Sequence, residues 1–221
     1  LPDFINFGLQ ERPKLIRPLE IEDSYLTLKT TSEGLYKEKG SKFLAFAYPV
    51  DSEDQIKETL DELRKRYYDA RHHCYAYILG KNQDIYRAND DGEPNHSAGD
   101  PILGQIRSHQ LTNVLIVVIR YFGGTKLGVG GLISAYKTAA AEAIENNEII
   151  IAIVHSRLVV DFDYLAMNDV MKIIKDFDLQ IVNQKFDNIC RLEIQVREKF
   201  KAKVIEKFED IQGVNDVKEI S

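Results

Sequence analysis

The run "NVLIVVIRYFGGTKLGVGGLISAYKTAAAEAIENN" constrains the chain more than any other stretch. Its first ten residues are apolar and rich in β-branched side chains, with no room for a solvated face, so they predict a central strand buried on both sides. Residues 122–131, "FGGTKLGVGG", then carry five glycines in ten positions, beginning at the last residue of that run. Glycine loses more backbone freedom on folding than any other residue, so such a density calls for positive φ or close approach to something. The alanine-rich "LISAYKTAAAEAIENN" then reads as a helix ending at the paired asparagines.

Around this unit the periodicities suggest an α+β chain of two domains. Short strands are expected at "YLTLKT" and "KFLAFAYPV", together opening a sheet, and Ser52 heads a capping box before the amphipathic helix "SEDQIKETLDELRKRY". "CYAYILG" reads as a strand, "RANDDGEPNHSAGDP" as a long surface loop, and "PILGQIRSHQ" as a short helix. The pattern restarts near residue 148. A strand "IIIAIVHSRLVVDFDY", a helix at "LAMNDVMKIIKDF" with Met167, Val170, Met171, Ile174 and Phe177 on one face, strands at "LQIVNQKF" and "NICRLEIQV", a helix and a last strand give the ferredoxin-like order βαββαβ. The expected division is an extension or tag over residues 1–24, a first domain over 25–147 and a second over 148–221. No repeat or low-complexity tract is present.

Composition excludes several classes. No apolar run approaches the roughly 20 residues of a membrane span, and the start has no secretory pattern. Cys74 and Cys190 are far apart, lack CxxC spacing and sit in apolar runs, which suits reduced thiols in a cytosolic protein. Cys74 beside His72 and His73 is a weak nucleophile candidate, since neighbours on a strand point to opposite faces. In "NICRLEIQV" one face is apolar and the other carries Arg191, Glu193 and Gln195, without the stacking aromatics of an RNA-binding sheet.

The chain is acidic overall, 29 basic against 35 acidic residues, which argues against a bulk electrostatic grip on nucleic acid. Between Pro101 and Ala141, however, no Asp or Glu occurs, while Arg107, His109, Arg120, Lys126 and Lys137 do. A glycine-rich loop entering a helix within such a stretch suits an anion, because the helix amino end offers unpaired N–H groups and partial positive charge. The Walker and dinucleotide patterns both fail, as Leu127 follows Lys126 and Ile133 stands at the third glycine position. A tight turn with close packing alone would also account for the glycines. The candidate phosphate contacts are Lys42, Arg71, His72, Arg120 and Lys126, joined by backbone amides near Gly123, Gly124 and Gly130. A second polar constellation, Asp90, Asp91, Glu93 and His96, is explained by turn chemistry without a metal, since the calcium-loop pattern is absent. No cofactor motif is present.

"KGSKFLAFAYPV", "HHCYAYILG", "RANDDGEPNHSAGDPILGQI" and "VIRYFGGTKLGVGGLISAY", in this order, resemble the Impact family, specifically its bacterial YigZ-like members, over about residues 25 to 146. The resemblance implies a first domain with the β/α fold of domain IV of elongation factor G and a second similar to its domain V. It also implies translation regulation, and association with RNA or the ribosome. Eukaryotic relatives bind a partner of a translation-factor kinase through a further domain without a counterpart in these 221 residues, so that mechanism does not carry over whole. The expectation is a binding protein for RNA, ribosome or another polyanion. Two alternatives stand beside it: an enzyme on a phosphorylated or carboxylated small molecule with His96 or Asp91 as acid or base, and a module that docks proteins through the second domain. No triad, metal motif or nucleophile elbow marks a peptidase.

Overall fold

The computed structural model describes residues 23–220. The expected extension therefore lies outside the described residues, except for Asp23 and Ser24. Two bodies are built on separate sheets, each with its own apolar core.

The first body holds a five-stranded antiparallel sheet, β2(Ser32–Glu38), β3(Ser41–Pro49), β4(His72–Leu79), β5(Ile85–Asn89) and β6(Val114–Tyr121), in the order β2-β3-β6-β4-β5. The continuous apolar run is β6, central as its composition predicts, with Leu115 to Ile119 fully buried. Its alternating side chains feed two layers. Helix α1(Glu53–Arg66) covers one face with Ile56, Leu60 and Leu63 against Tyr75, Tyr77, Val117 and Ile119. Helices α2(Gly99–Ser108) and α3(Gly128–Glu145) cover the other, packing on Phe43, Ala76, Ile116 and Val118. Four buried alanines of α3, Ala135, Ala139, Ala140 and Ala143, let that helix lie close to the sheet. Ser52 caps α1 by accepting from the Gln55 amide, and the Gln55 side chain reaches back to the Asp51 amide.

In the second body β8(His155–Phe162), β9(Gln180–Phe186), β10(Cys190–Arg197) and β11(Val214–Ile220) form an antiparallel sheet in the order β11-β8-β10-β9. Helices α4(Met167–Asp176) and α5(Lys201–Glu209) pack on one face. This is the split βαβ connectivity that the element order predicts. Leu158, Val160, Phe162, Cys190, Leu192, Ile194 and Val196 are buried under the helices. On the open face the charges pair across strands, Arg191 with Asp161 and Arg157 with Glu193.

Several expectations are corrected. "YLTLKT" forms β1(Ser24–Leu28), but it does not open the sheet with β3; it pairs with β7(Ile149–Ile153) in a separate ribbon. The strand that does pair with β3 is β2, a polar, glycine-containing segment without the period-2 signal of a half-buried strand. The long run from Ile149 is two strands, broken at Val154, whose amide and carbonyl bond to Asp23 and Glu198. In α4, Ile173 is buried while Met171 is 39% exposed. The loop expected from Arg87 also begins with β5, and α3 starts at Gly128, so three of the five glycines lie in a helix.

The two bodies meet at the β1–β7 ribbon. Arg197 of β10 donates two hydrogen bonds, at 2.7 and 2.8 Å, to the Asp23 carboxylate beside β1, and Asp23 is 1% exposed. The guanidinium holds that carboxyl below the usual carboxylate range.

Candidate functional site

A cleft of about 860 Å³ opens where β6 ends and α3 begins. Three segments meet there: the start of β4 with Arg71 and His72, the loop between β5 and α2 with Glu93 and Pro94, and the turn from Arg120 through Val129. The register explains the meeting, since His72 and Phe43 flank Arg120 on the neighbouring strands, and all three share the face on which α3 packs.

At its inner wall lies a buried polar network. Arg120 Nη1 donates to Glu93 Oε1 at 2.6 Å, and the Tyr136 hydroxyl of α3 donates to the same oxygen at 2.9 Å. The side chains of Arg120 and Glu93 are 8% and 4% exposed. The guanidinium carbon lies over the Phe43 ring at 5.5 Å and over the Phe122 ring at 5.6 Å. Its Nε is buried without a partner. Cys74 lies behind, its thiol on the Asp90 carbonyl at 2.9 Å, and burial pushes that thiol and the Tyr136 hydroxyl far up. A thiol so held stays protonated and is no nucleophile.

The glycines divide by role. A Cβ at Gly123 would lie 1.9 Å from the carbonyl carbon of Gly40, so the turn touches the tip of the β2–β3 hairpin, and the Gly123 amide donates to Ser41 Oγ. Gly124 and Gly128 have φ of +88° and +72°, where a side chain is strained. Gly130 sits in the first turn of α3 facing open space. No side chain caps α3, and its first turn has no acid.

Of the candidate anion contacts, Arg71, His72, Arg120 and Lys126 line the cleft. Arg120 is already neutralised by Glu93. Lys42 alternates with Phe43 onto the opposite face of β3, and Gly123, Gly124 and Gly130 are not among the lining residues. The polar loop also splits. Glu93 lines the cleft, whereas the Asp90 carboxylate accepts from the amides of Ala98, Gly99 and His96, fastening the loop to the start of α2. Burial works against ionisation of Asp90, but these three amides outweigh it and hold its carboxyl low. Asp91 accepts from the His73 amide, and its carbonyl meets His72 Nδ1 at 2.8 Å. His96 is exposed and paired with Asp100. No three His, Cys, Asp or Glu side chains converge as a metal would require among the described residues. Sequence reading misses Phe122 and Tyr136. The alternation of Arg120 with Phe122 past the strand end is a signal for the first; the second is visible only in the packed helix.

Residues 39–144 match the family model of the Impact N-terminal domain. A Haemophilus influenzae protein described as an Impact family member is 30% identical over 73% of this chain and 79% of its own. The chain belongs to the Impact family. The Impact family member YvyE of Bacillus subtilis is 39% identical over 123 residues, 56% of this chain, and that match spans only 57% of YvyE. Among solved structures, the crystal structure of a hypothetical protein shares the fold with a TM-score of 0.70 over 89% of this chain and 98% of its own, at 24% identity. The Impact match covers every wall of the cleft. Among the described residues no helix is long and apolar enough to cross a membrane.

Proposed function

We propose that this Impact-family protein acts in the cytosol in translation regulation, and that its cleft takes phosphate groups of RNA, of the ribosome or of another polyanion. The observation that carries the reading is the uncapped amino end of the 18-residue α3, opening beside Arg71 and Lys126. Of the two acids among the walls, Glu93 is paired with the cationic Arg120 and Asp69 accepts only from the neutral Tyr121 hydroxyl. An anion placed there meets free N–H groups, a helix dipole and two cations. Such contacts position a backbone without reading its sequence. The proposal keeps the division into an Impact-type domain over 25–147, similar to domain IV of elongation factor G, and a ferredoxin-like domain over 148–221, similar to its domain V.

The test is fluorescence anisotropy of labelled RNAs at several salt concentrations. Because Arg120 is spoken for by Glu93, the informative variant is Arg71→Ala with Lys126→Ala. Binding should weaken, and the slope of log affinity against log salt should fall by about 0.7 for each phosphate no longer neutralised. An unchanged slope would place the interface elsewhere.

A second reading has the shape of the cleft in its favour: a concave volume with apolar walls suits a small phosphorylated or carboxylated substrate. His72 is the acid–base group that its walls leave to such a reaction, since Glu93 and Asp69 are already engaged and Asp91 and His96 lie outside the walls. Turnover of a small phosphorylated molecule, lost on replacing His72, would establish it. Docking of a protein partner on the open face of the second sheet has less support, because the charges there already pair with each other.

A further inference from the structure

A site that only neutralises charge has no use for apolar walls, yet much of this cleft is apolar. Leu127 and Val129 face it from the turn into α3, and Phe122 stands at the end of β6. Phe122 is 57% exposed and Val129 52%. The Arg120 guanidinium reaches from the Phe43 ring inside the core to the Phe122 ring at the strand end, lying over both at 5.5 and 5.6 Å. The position of the Phe122 ring is set from within by the buried strand end. Arg120 itself is 7% exposed, lines the cleft and keeps an unpartnered Nε. An aromatic face thus lies beside two solvent-facing cations, a helix amino end and a buried guanidinium with a donor to spare.

We propose that the occupant is one unstacked nucleotide, its phosphate held by Arg71, Lys126 and the first turn of α3 and its base stacked on Phe122. This deepens the phosphate reading above and rests on it. Aromatic stacking tolerates any base because every base has a π face, and cationic side chains beside it track the backbone. The volume of about 860 Å³ lies in the range of sites that enclose a small ligand. A duplex keeps its bases paired and stacked, so it offers the same phosphates but no ring to the phenylalanine. The protein should therefore prefer single strands.

The test uses the full chain, a short labelled uridine-rich RNA strand, and the same strand annealed to its complement, both at low salt. The single strand should bind more tightly. Phe122→Ala should weaken the single strand by about 5- to 100-fold, leave duplex binding and the salt slope unchanged, and be rescued by Phe122→Tyr. Phe122 is exposed, so its replacement leaves the cores intact, and matching melting curves check this. Equal affinity of the wild type for both forms, or an unaltered single-strand affinity in Phe122→Ala, would overturn the base contact while leaving the phosphate reading standing. Failure of the wild type to bind either form would instead sink the phosphate reading. Uridine monophosphate assayed alongside separates the sources: equal affinity per site points to a free nucleotide, weaker affinity to a strand, and both outcomes require the Phe122 dependence.

Discussion

Glu93 and Arg120 show how a residue can look like a ligand contact and serve first as a wall. A buried ion pair of this kind gains little over an apolar replacement of the same shape, but losing one member leaves the other charged and dry. Glu93→Ala strands both the guanidinium and the Tyr136 hydroxyl. It should lower unfolding free energy by roughly 3–5 kcal/mol, measured by urea denaturation, and the midpoint should shift with little change in slope. The absence of acids between Pro101 and Ala141 is legible in the sequence and does point to the region of the cleft. What the sequence cannot reveal is that an acid from outside the stretch, Glu93, is folded back onto Arg120 by the loop that Asp90 fastens. That is a tertiary contact with no local signature.

The elements divide by how strongly local chemistry specifies them. The amphipathic α1 with its Ser52 cap and the apolar β6 are readable because cap, period and composition agree. Ser52→Ala should cost about 0.5–2 kcal/mol in thermal unfolding, the ordinary value of a lost cap. The edge strand β2 is not readable, since Ser32, Gly34 and Lys37 break any alternation and its pairing is imposed by β3 on one side and α3 on the other. The glycine turn reads as a cradle in the sequence, and the geometry assigns part of it to packing. Gly123→Ala would drive a methyl group into the backbone of Gly40, and a cost of about 1–3 kcal/mol is expected. Gly130→Ala, in open space within a helix, should be neutral or slightly stabilising in the same measurement.

At the scale of the whole molecule, Asp23 ties the two bodies together through Arg197, and it lies in a segment without any periodic signal. Its carboxyl titrates below its ordinary value of 3.8 when folded, so its contribution is fully present above that value and is lost as pH falls through the lower, folded one. Asp23→Asn should therefore lower the melting temperature at neutral pH, and the gap to wild type should close only as the pH drops below about 3.8. A gap that persisted unchanged in acid would mean that the pair contributes nothing through its charge. The β1–β7 ribbon adds a constraint in time. Residues 24–28 leave the ribosome ahead of the strand they pair with, Ser24 opposite Ile153, which is synthesised only after the whole five-stranded sheet has been made. During translation the first body must hold an apolar strand whose outer edge is open, so the nascent chain is most exposed to mispairing just before residue 149 emerges. A fragment cut at that point would keep this exposure permanently.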